Sequence, residues 1–437
     1  MSTQSEWPVV ALNTVANFLS GGTPSKARAH YWSGDIPWVS AKDMKEQRVR
    51  DSEDHITMEA LENGSRIAPK GATLVLVRGM TLLSDVPICV LERDVAFNQD
   101  IKAIVARNGI NAVFLNYALL AAKPLLLSYV EFAGHGTGRL PTDRLQALQI
   151  PIPSKSEQTA VARVLTALDD KIELNRRMNE TLEAMTRAIF KSWFVNFDPV
   201  RAKAEGRQPP GMNADTAALF PDSFQDSPLG KIPRGWRVGK LAEIAWLSRD
   251  SVNPGAFPDE VFDHYSIPAF DEGRWPKEEA GIQIKSNKSL VPPNSVLISK
   301  LNPRFPRVWL PSLSNGKRSI ASTEFLVTSA REPFNCEYLF GLFTSESFFQ
   351  VFATLVTGTS SSHQRVRAEF LHEMDALIPP GNCAASFSRT AGPLYATVTA
   401  NLTESRTLSA IRDTLLPKLV SGEIRVSSSG VAEVPTS

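Results

Sequence analysis

The chain has 437 residues, 43% hydrophobic and 21% charged, the profile of a globular protein with room for two to four domains and not of a disordered or fibrous one. Its net charge of +1 gives no argument for nucleic-acid binding from the overall balance, so any such role has to come from local patches. No apolar run reaches a membrane-spanning length, the N-terminus MSTQSEWPVV has no basic region followed by an apolar run, and three scattered cysteines, Cys89, Cys336 and Cys383, suggest neither disulfides nor a zinc knuckle. The expectation is a cytoplasmic protein without membrane contact.

Residues 1–153 read as a mixed α/β module. Gly and Pro punctuate short apolar pieces such as Ile36-Pro37-Trp38-Val39, a pattern of loops and strands. Ala72 to Arg78, Val86 to Leu91 and Ile101 to Val105 are expected strands, and Val113 to Leu127 a helix that Pro124 ends or kinks. Gly21 to Lys26 lacks the spacing of a phosphate loop. Gly134 to Arg139 reads as a flexible loop.

Ser154 to Asp198 contains no Gly or Pro and is rich in Ala, Leu, Glu, Arg and Met. Ser154 with Glu157 has capping-box spacing. Val161, Leu168, Asn175, Leu182 and Ile189 recur every seven residues, and Val164, Met178 and Met185 fill most of a second seam that Lys171 and Ser192 interrupt. This predicts a long amphipathic helix that needs a partner helix, of roughly 57 Å at 1.5 Å per residue. Residues 199–232 are Pro- and Gly-rich and read as a linker ordered in patches. A second module follows over 233–380. A second helix is expected over 381–422, from about Cys383 to Val420, kinked or starting late near Gly392-Pro393. Residues 423–437 read as a tail, disordered from Ser427.

The two halves repeat. A shift of 226 sets Arg139, Leu145, Ile152, Asn175 and Leu182 on Arg365, Leu371, Ile378, Asn401 and Leu408. A shift of 229 sets Trp7 and Leu12 on Trp236 and Leu241. Ser295 to Lys300 takes the position of Thr73 to Arg78. The organisation is module, helix, module, helix.

GGTPSKARAHYWSGDIPWVSAKDM, PIPSKSEQTAVARVL, FKSWFVNFDPVRAKAEG and AALFPDSFQDSPLGKIPRGW, in this order, resemble the DNA-specificity subunit of type I restriction-modification systems over nearly the whole chain. The resemblance implies an α+β fold: two pseudo-repeated mixed α/β target-recognition domains separated by two long antiparallel coiled-coil helices. It implies that each domain reads half of a split site on double-stranded DNA. It also implies that two methyltransferase subunits dock on the helices and their flanks, and that restriction/translocase subunits join for cleavage. No cofactor is then expected on this chain; S-adenosylmethionine, ATP and Mg2+ would belong to the partner subunits.

Residue chemistry gives independent, weaker pointers. Lys285, Lys288, Lys300, Arg304, Arg307, Lys317 and Arg318 lie in a stretch with no acidic residue, suited to phosphate contact or guanine reading by Arg. A solvated surface run is the alternative. Asn302 to Arg307 is the sharpest piece, because its prolines stiffen a loop carrying two arginines. The first module offers Lys26, Arg28, Lys42, Arg78 and Arg139, each equally readable as a plain surface cation. His363 and Arg365 lie in or beside the small-residue loop that repeats Gly134 to Arg139. Asn175 and Asn401, at equivalent mid-helix positions, are expected to meet in an antiparallel pair and set its register. A slip of one heptad would move a module by roughly 10 Å, about three base pairs. Two solvated asparagines are the alternative. None of the Pro-Pro pairs carries the residues of an adenine-methyltransferase motif, and there is no Walker loop, nucleophile elbow or convincing metal cluster. The chain reads as non-catalytic. The competing reading is a coiled-coil scaffold with two protein- or glycan-binding heads.

Overall fold

The computed structural model describes residues 7–133, 136–313, 316–357, 364–426 and 432–433. It divides into two compact units, Met1–Glu173 with Ser405–Ser437, and Leu174–Glu404. Two helices of 40 and 41 residues, Lys155–Phe194 and Gly381–Ser421, contribute to both. The first opens on the capping box that the sequence predicts. The backbone N–H of Ser154 donates to Glu157 Oε2 at 3.1 Å, and that of Glu157 reaches Ser154 Oγ at 3.4 Å.

The helices run antiparallel, since partner numbers fall on one as they rise on the other. Arg412 Nη1 meets Asp169 at 2.9 Å in the first unit. In the second unit Asn179 lies against Val398, and the rings of Phe190 and Phe387 are 5.4 Å apart. The seam from Val161 to Ile189 faces inward as expected, buried or half-buried throughout. The second seam does not: Met178 and Met185 are 38% and 47% exposed. It runs one residue later, through Leu165, Ile172, Asn179, Thr186 and Trp193, again buried or half-buried. Two of these five are polar, and the exposed methionines mimic a seam beside them, so hydropathy pointed to the wrong row.

The second helix also corrects an expectation. It begins at Gly381 and runs through Pro393 and Pro417 without interruption. A proline inside a helix forfeits one hydrogen bond and crowds the preceding turn. Here the turns before Pro393 are held by tertiary packing, with Cys383, Ala384, Phe387 and Ala391 all in the core. Of the tail, Arg425–Val426 pairs with Ala432–Glu433; residues 427–431 and 434–437, where disorder was expected, lie outside the described residues.

Each unit contains one head, and key strand pairings of one recur in the other. Val9–Ala11 pairs with Gln149–Pro151, and Arg237–Lys240 with Asp375–Ile378; Val9 opposite Pro151 becomes Val238 opposite Leu377, which satisfies both sequence shifts at once. The first head packs a five-stranded sheet (Ala16–Ser20, Ile101–Ala106, Thr73–Leu76, Ile88–Leu91, Arg48–Val49) and a four-stranded one (Asp54–Ile56, Ile36–Val39, Val95–Phe97, Ile67–Ala68). The second head has a four-stranded sheet built on Phe325–Ala330 and Ser295–Ser299, and a five-stranded one built on Val261–Tyr265 and Ser319–Ala321. Parallel pairing brings Trp38 beside Ala96 and Arg48 beside Val90 in the first head, and His264 beside Ile320 in the second. Fully buried strands such as Thr73–Leu76 and Ser295–Ser299 explain the continuous apolar runs of the sequence. The stretch Val113 to Leu127 is broken beside Pro124 as expected: one helix, Ala112–Ala121, stops at Ala122, and Pro124 sits in the first turn of a second, Lys123–Ser128.

The expected linker is part of a core. Asp198–Ala204, Ala214–Ala218 and a hairpin of Phe224–Ser227 with Gly230–Pro233 bury Val200, Met212, Phe220 and Ile232 against Phe190, Trp193, Phe194 and Trp236 of the second unit.

Candidate nucleic-acid interface

The most distinctive polar surface of the first head is a three-stranded sheet of Glu131–Ala133, Thr137–Arg139 and Arg78–Gly79. Arg139 stands directly opposite Arg78 on one side and Glu131 on the other. Directly opposed like charges destabilise a strand pair, and both arginines are exposed, with no hydrogen-bond or carboxylate partner among the described residues. The element recurs in the second head, where Val356–Thr357 pairs with Arg365–Val366 and Arg365 bridges to Leu301. This pairing sets Arg78 on Leu301, one residue beyond the Lys300 that the sequence repeat suggested. Of the expected loop Gly134 to Arg139, Thr137–Arg139 is strand; residues 134–135 and 358–363, including His363, lie outside the described residues.

The remaining cations divide by what holds them. Lys26 and Lys285 are exposed and Lys300 is half-buried, and none of their ammonium groups has a partner among the described residues. Arg28 donates to the Tyr31 hydroxyl and lies over that ring. Lys42 sits between Glu53 (3.0 Å) and Asp54 (2.9 Å), and hydrogen bonds to Asp54 and Glu53 raise its pKa. Arg304 is exposed, its guanidinium 5.0 Å from the ring centre of Phe305. Arg307 makes a bidentate pair with Asp271 at 2.7 and 2.9 Å. Arg318 pairs with Glu260, Lys317 with Glu278, and Arg365 with Glu324. The acid-free stretch is thus not acid-free in space, because neighbouring strands and turns bring carboxylates from outside it. Lys288 corrects the sequence expectation. It is buried, its ammonium bonds the Ser286 carbonyl and hydroxyl at 3.0 and 2.6 Å, and burial lowers its pKa, so it has no open face for a phosphate.

Three clusters escaped sequence reasoning. In the first unit Asp169, 6% exposed, accepts from Tyr117 Oη (2.6 Å), Gln47 Nε2 (3.2 Å) and Arg412 (2.9 Å); Arg48 pairs with Asp170 at 2.6 Å and Arg50 with Glu173 at 2.7 Å. This network clamps the first head to the long helices. In the second unit the clamp is aromatic, with Phe194 5.2 Å from Tyr338 and 5.8 Å from Trp236. Also in that unit, His264 Nδ1 lies 2.6 Å from Glu279 Oε2. Burial lowers the His264 pKa. Burial pushes Glu279 upward, but hydrogen bonds from His264 and Lys277 outweigh it and hold the carboxylate below its ordinary value. A close pair would usually raise a histidine; here burial dominates, and a neutral imidazole donating from Nδ1 fits both directions. Partners distant in sequence made all three clusters illegible.

Asn175 and Asn401 lie together at the helix pair, buried, within the second unit. Asn175 Nδ2 donates to Glu404 at 2.7 Å and lies 3.5 Å from the Asn401 carbonyl, while Asn401 Nδ2 donates to Asn179 Oδ1 at 2.8 Å. Among the described residues there is no cluster of His, Cys, Asp or Glu able to hold a metal, and no helix long and apolar enough to cross a membrane.

Comparison with known proteins gives a consistent result. Residues 4–184 match the family model described as the type I restriction modification DNA specificity domain. The specificity subunit of the type I restriction enzyme MjaIX from Methanocaldococcus jannaschii is 26% identical over 96% of this chain and 94% of its own length. That of the type I restriction enzyme HindI from Haemophilus influenzae is 26% identical over 64% of this chain and 70% of its own. Among solved structures, the S subunit of a type I restriction-modification system from M. genitalium shares the fold, with a TM-score of 0.55 and 12% identity, covering 96% of this chain and 97% of that one.

Proposed function

Since the chain belongs to the family of type I restriction-modification specificity subunits, we propose that each of its heads reads one half of a bipartite site on double-stranded DNA. The observation that supports this best is the repeated strand element with its exposed arginines, Arg78 and Arg139 in one head and Arg365 in the other. Exposed arginines suit phosphate and guanine contact; Arg78 and Arg139 make no ion pair among the described residues, whereas Arg365 is held by Glu324, and a fold present twice suits a site with two halves. The chain aims a reaction that its partners perform. Two methyltransferase subunits and the restriction/translocase subunits assemble on it in the cytoplasm, and S-adenosylmethionine, ATP and Mg2+ are bound by them. The long helices set the spacing of the half-sites, with Asn175, Asn179 and Asn401 holding the register.

The test is to map methylated adenines in the host genome with the gene intact and deleted. The expected result is one split motif, methylated only when this chain is present. Methylation that survives deletion, or a motif without two halves, would overturn the reading.

A further inference from the structure

We propose that each head drives one exposed aromatic side chain, Phe132 in the first and Phe305 in the second, between base pairs of its half-site as a wedge. The proposal rests on the reading of this chain as a reader of duplex DNA.

Phe132 is 81% exposed, on the strand Glu131–Ala133. Cross-strand pairing sorts its sheet into two rows. Glu131, Arg139 and Arg78 form one, and Phe132, Gly138 and Gly79 the other. The aromatic ring therefore has no cross-strand side chain beside it in its row. On the same face Leu82 and Val130 fill the space over Gly138, where a Cβ would meet Leu82 Cβ at 2.7 Å and Val130 Cγ1 at 3.0 Å, and the Phe132 ring, 81% exposed, stands clear of them at the edge of the sheet. Met80, the residue after Gly79, is 72% exposed. A soluble surface gains nothing from an aromatic ring and a methionine held in water beside two mutually repelling arginines. Duplex DNA accounts for both features, with phosphates satisfying the guanidinium groups and an opened base step receiving the ring.

The second head repeats the arrangement with different residues. The turn after Leu301, whose bridge to Arg365 matches that of Arg78 to Arg139, carries Phe305, 52% exposed. Pro303 and Pro306 flank it, and the guanidinium groups of Arg304 and Arg307 lie 5.0 and 6.0 Å from its ring centre. Again an aromatic tip rises from a stiff support with positive charge at its base. Apolar wedges that unstack a step are a general device of DNA-bending proteins. Methylation of a base in a duplex requires that base to leave the stack, at a cost of a few kcal/mol that is least where stacking is already broken. A wedge supplied by this chain would lower that cost for the methyltransferase it positions.

The experiment uses the complex isolated from the host through a tag on this chain. Its probe is the duplex which that complex selects from a random-sequence pool, with 2-aminopurine substituted one position at a time. The wild type should raise fluorescence at one step in each half-site. Phe132→Ala should abolish the rise in one half only and weaken binding on the order of tenfold, the worth of one base–aromatic stack; Phe305→Ala should do the same in the other half. Phe132→Trp should restore the signal, and because the ring is exposed the melting temperature should not move. Selection of a specific duplex with no such rise, or a rise that survives both alanine variants, overturns the wedge and leaves DNA reading intact. Failure to select any duplex overturns both.

Discussion

Asn401→Leu alone and the triple replacement of Asn175, Asn179 and Asn401 by leucine should shift stability in opposite directions. In the single variant Asn179 Oδ1 loses the 2.8 Å bond from Asn401 in a seam where both residues are buried. The lost hydrogen bond costs about 1 kcal/mol and the stranded amide oxygen a further 1–3 kcal/mol, partly offset by the buried leucine. The net expectation is a loss of about 2 kcal/mol, or roughly 4–8 °C in the melting midpoint of a unit this size. In the triple variant no polar group is stranded in the seam, since Glu404, the other partner of Asn175, is exposed. Replacement of a whole buried polar cluster by apolar groups is neutral or stabilising by about 1–4 kcal/mol. Thermal melts of the four variants, three single and one triple, measure the coupling directly. Methylation mapping with the triple variant should show half-sites at more than one spacing, because a leucine seam no longer penalises a slipped register. If the triple loss equals the sum of the single losses, the asparagines act independently and the register argument fails.

Arg304 and Arg307 should separate in the same mapping assay. Arg304→Ala is expected to weaken one half-site's preference and lower the salt slope of binding by about one. Arg307→Ala acts by freeing Asp271 and loosening the loop; equal relaxation of both half-sites by either variant would contradict the modular reading. Arg412→Met leaves the buried Asp169 carboxylate with only Tyr117 and Gln47 as donors and should destabilise the first unit by about 2–4 kcal/mol, measured by denaturant unfolding; a change under about 0.5 kcal/mol would make the pair ornamental. His264 and Glu279 both have lowered folded-state values, so their contribution is full above the ordinary histidine value of 6.5 and is lost as pH falls. The melting midpoint of the second unit should drop below about pH 6.5, and His264→Gln should flatten that dependence; an unchanged profile would remove the pair from consideration.

The architecture was legible because repetition and periodicity survive in single residues. Trp7 and Trp236 mark the same entry strand, both buried, and Ser154 with Glu157 marks the start of the first helix. The inner seam was read correctly as far as apolar residues carried it and wrongly where Asn179 and Thr186 replaced them. Gly392-Pro393 looked like a kink or a late start because the packing that holds the turns from Gly381 onward comes from distant residues. The charged candidates were legible only as a supply. Which of them faces solvent is decided by cross-strand neighbours, so Lys288 and Arg304 looked alike in sequence and differ entirely in place. Phe132 and Phe305 were missed for the same reason: a phenylalanine is read as core until its neighbours are known to be glycine or proline.

The segment between the first long helix and the second head decides where two related chains can be joined. Val200, Phe220 and Ile232 belong to the same core as Trp236 and Tyr338, so this stretch is inherited with the second head and is not a neutral tether. A chimera joined near residue 199 would pair one parent's cover with another parent's interior and expose aromatic surface, inviting aggregation. A crossover near 154, at the start of the first long helix, would leave that core whole, whereas one near 381 would part Cys383, Ala384 and Phe387 from it, so productive recombinants should cluster near 154.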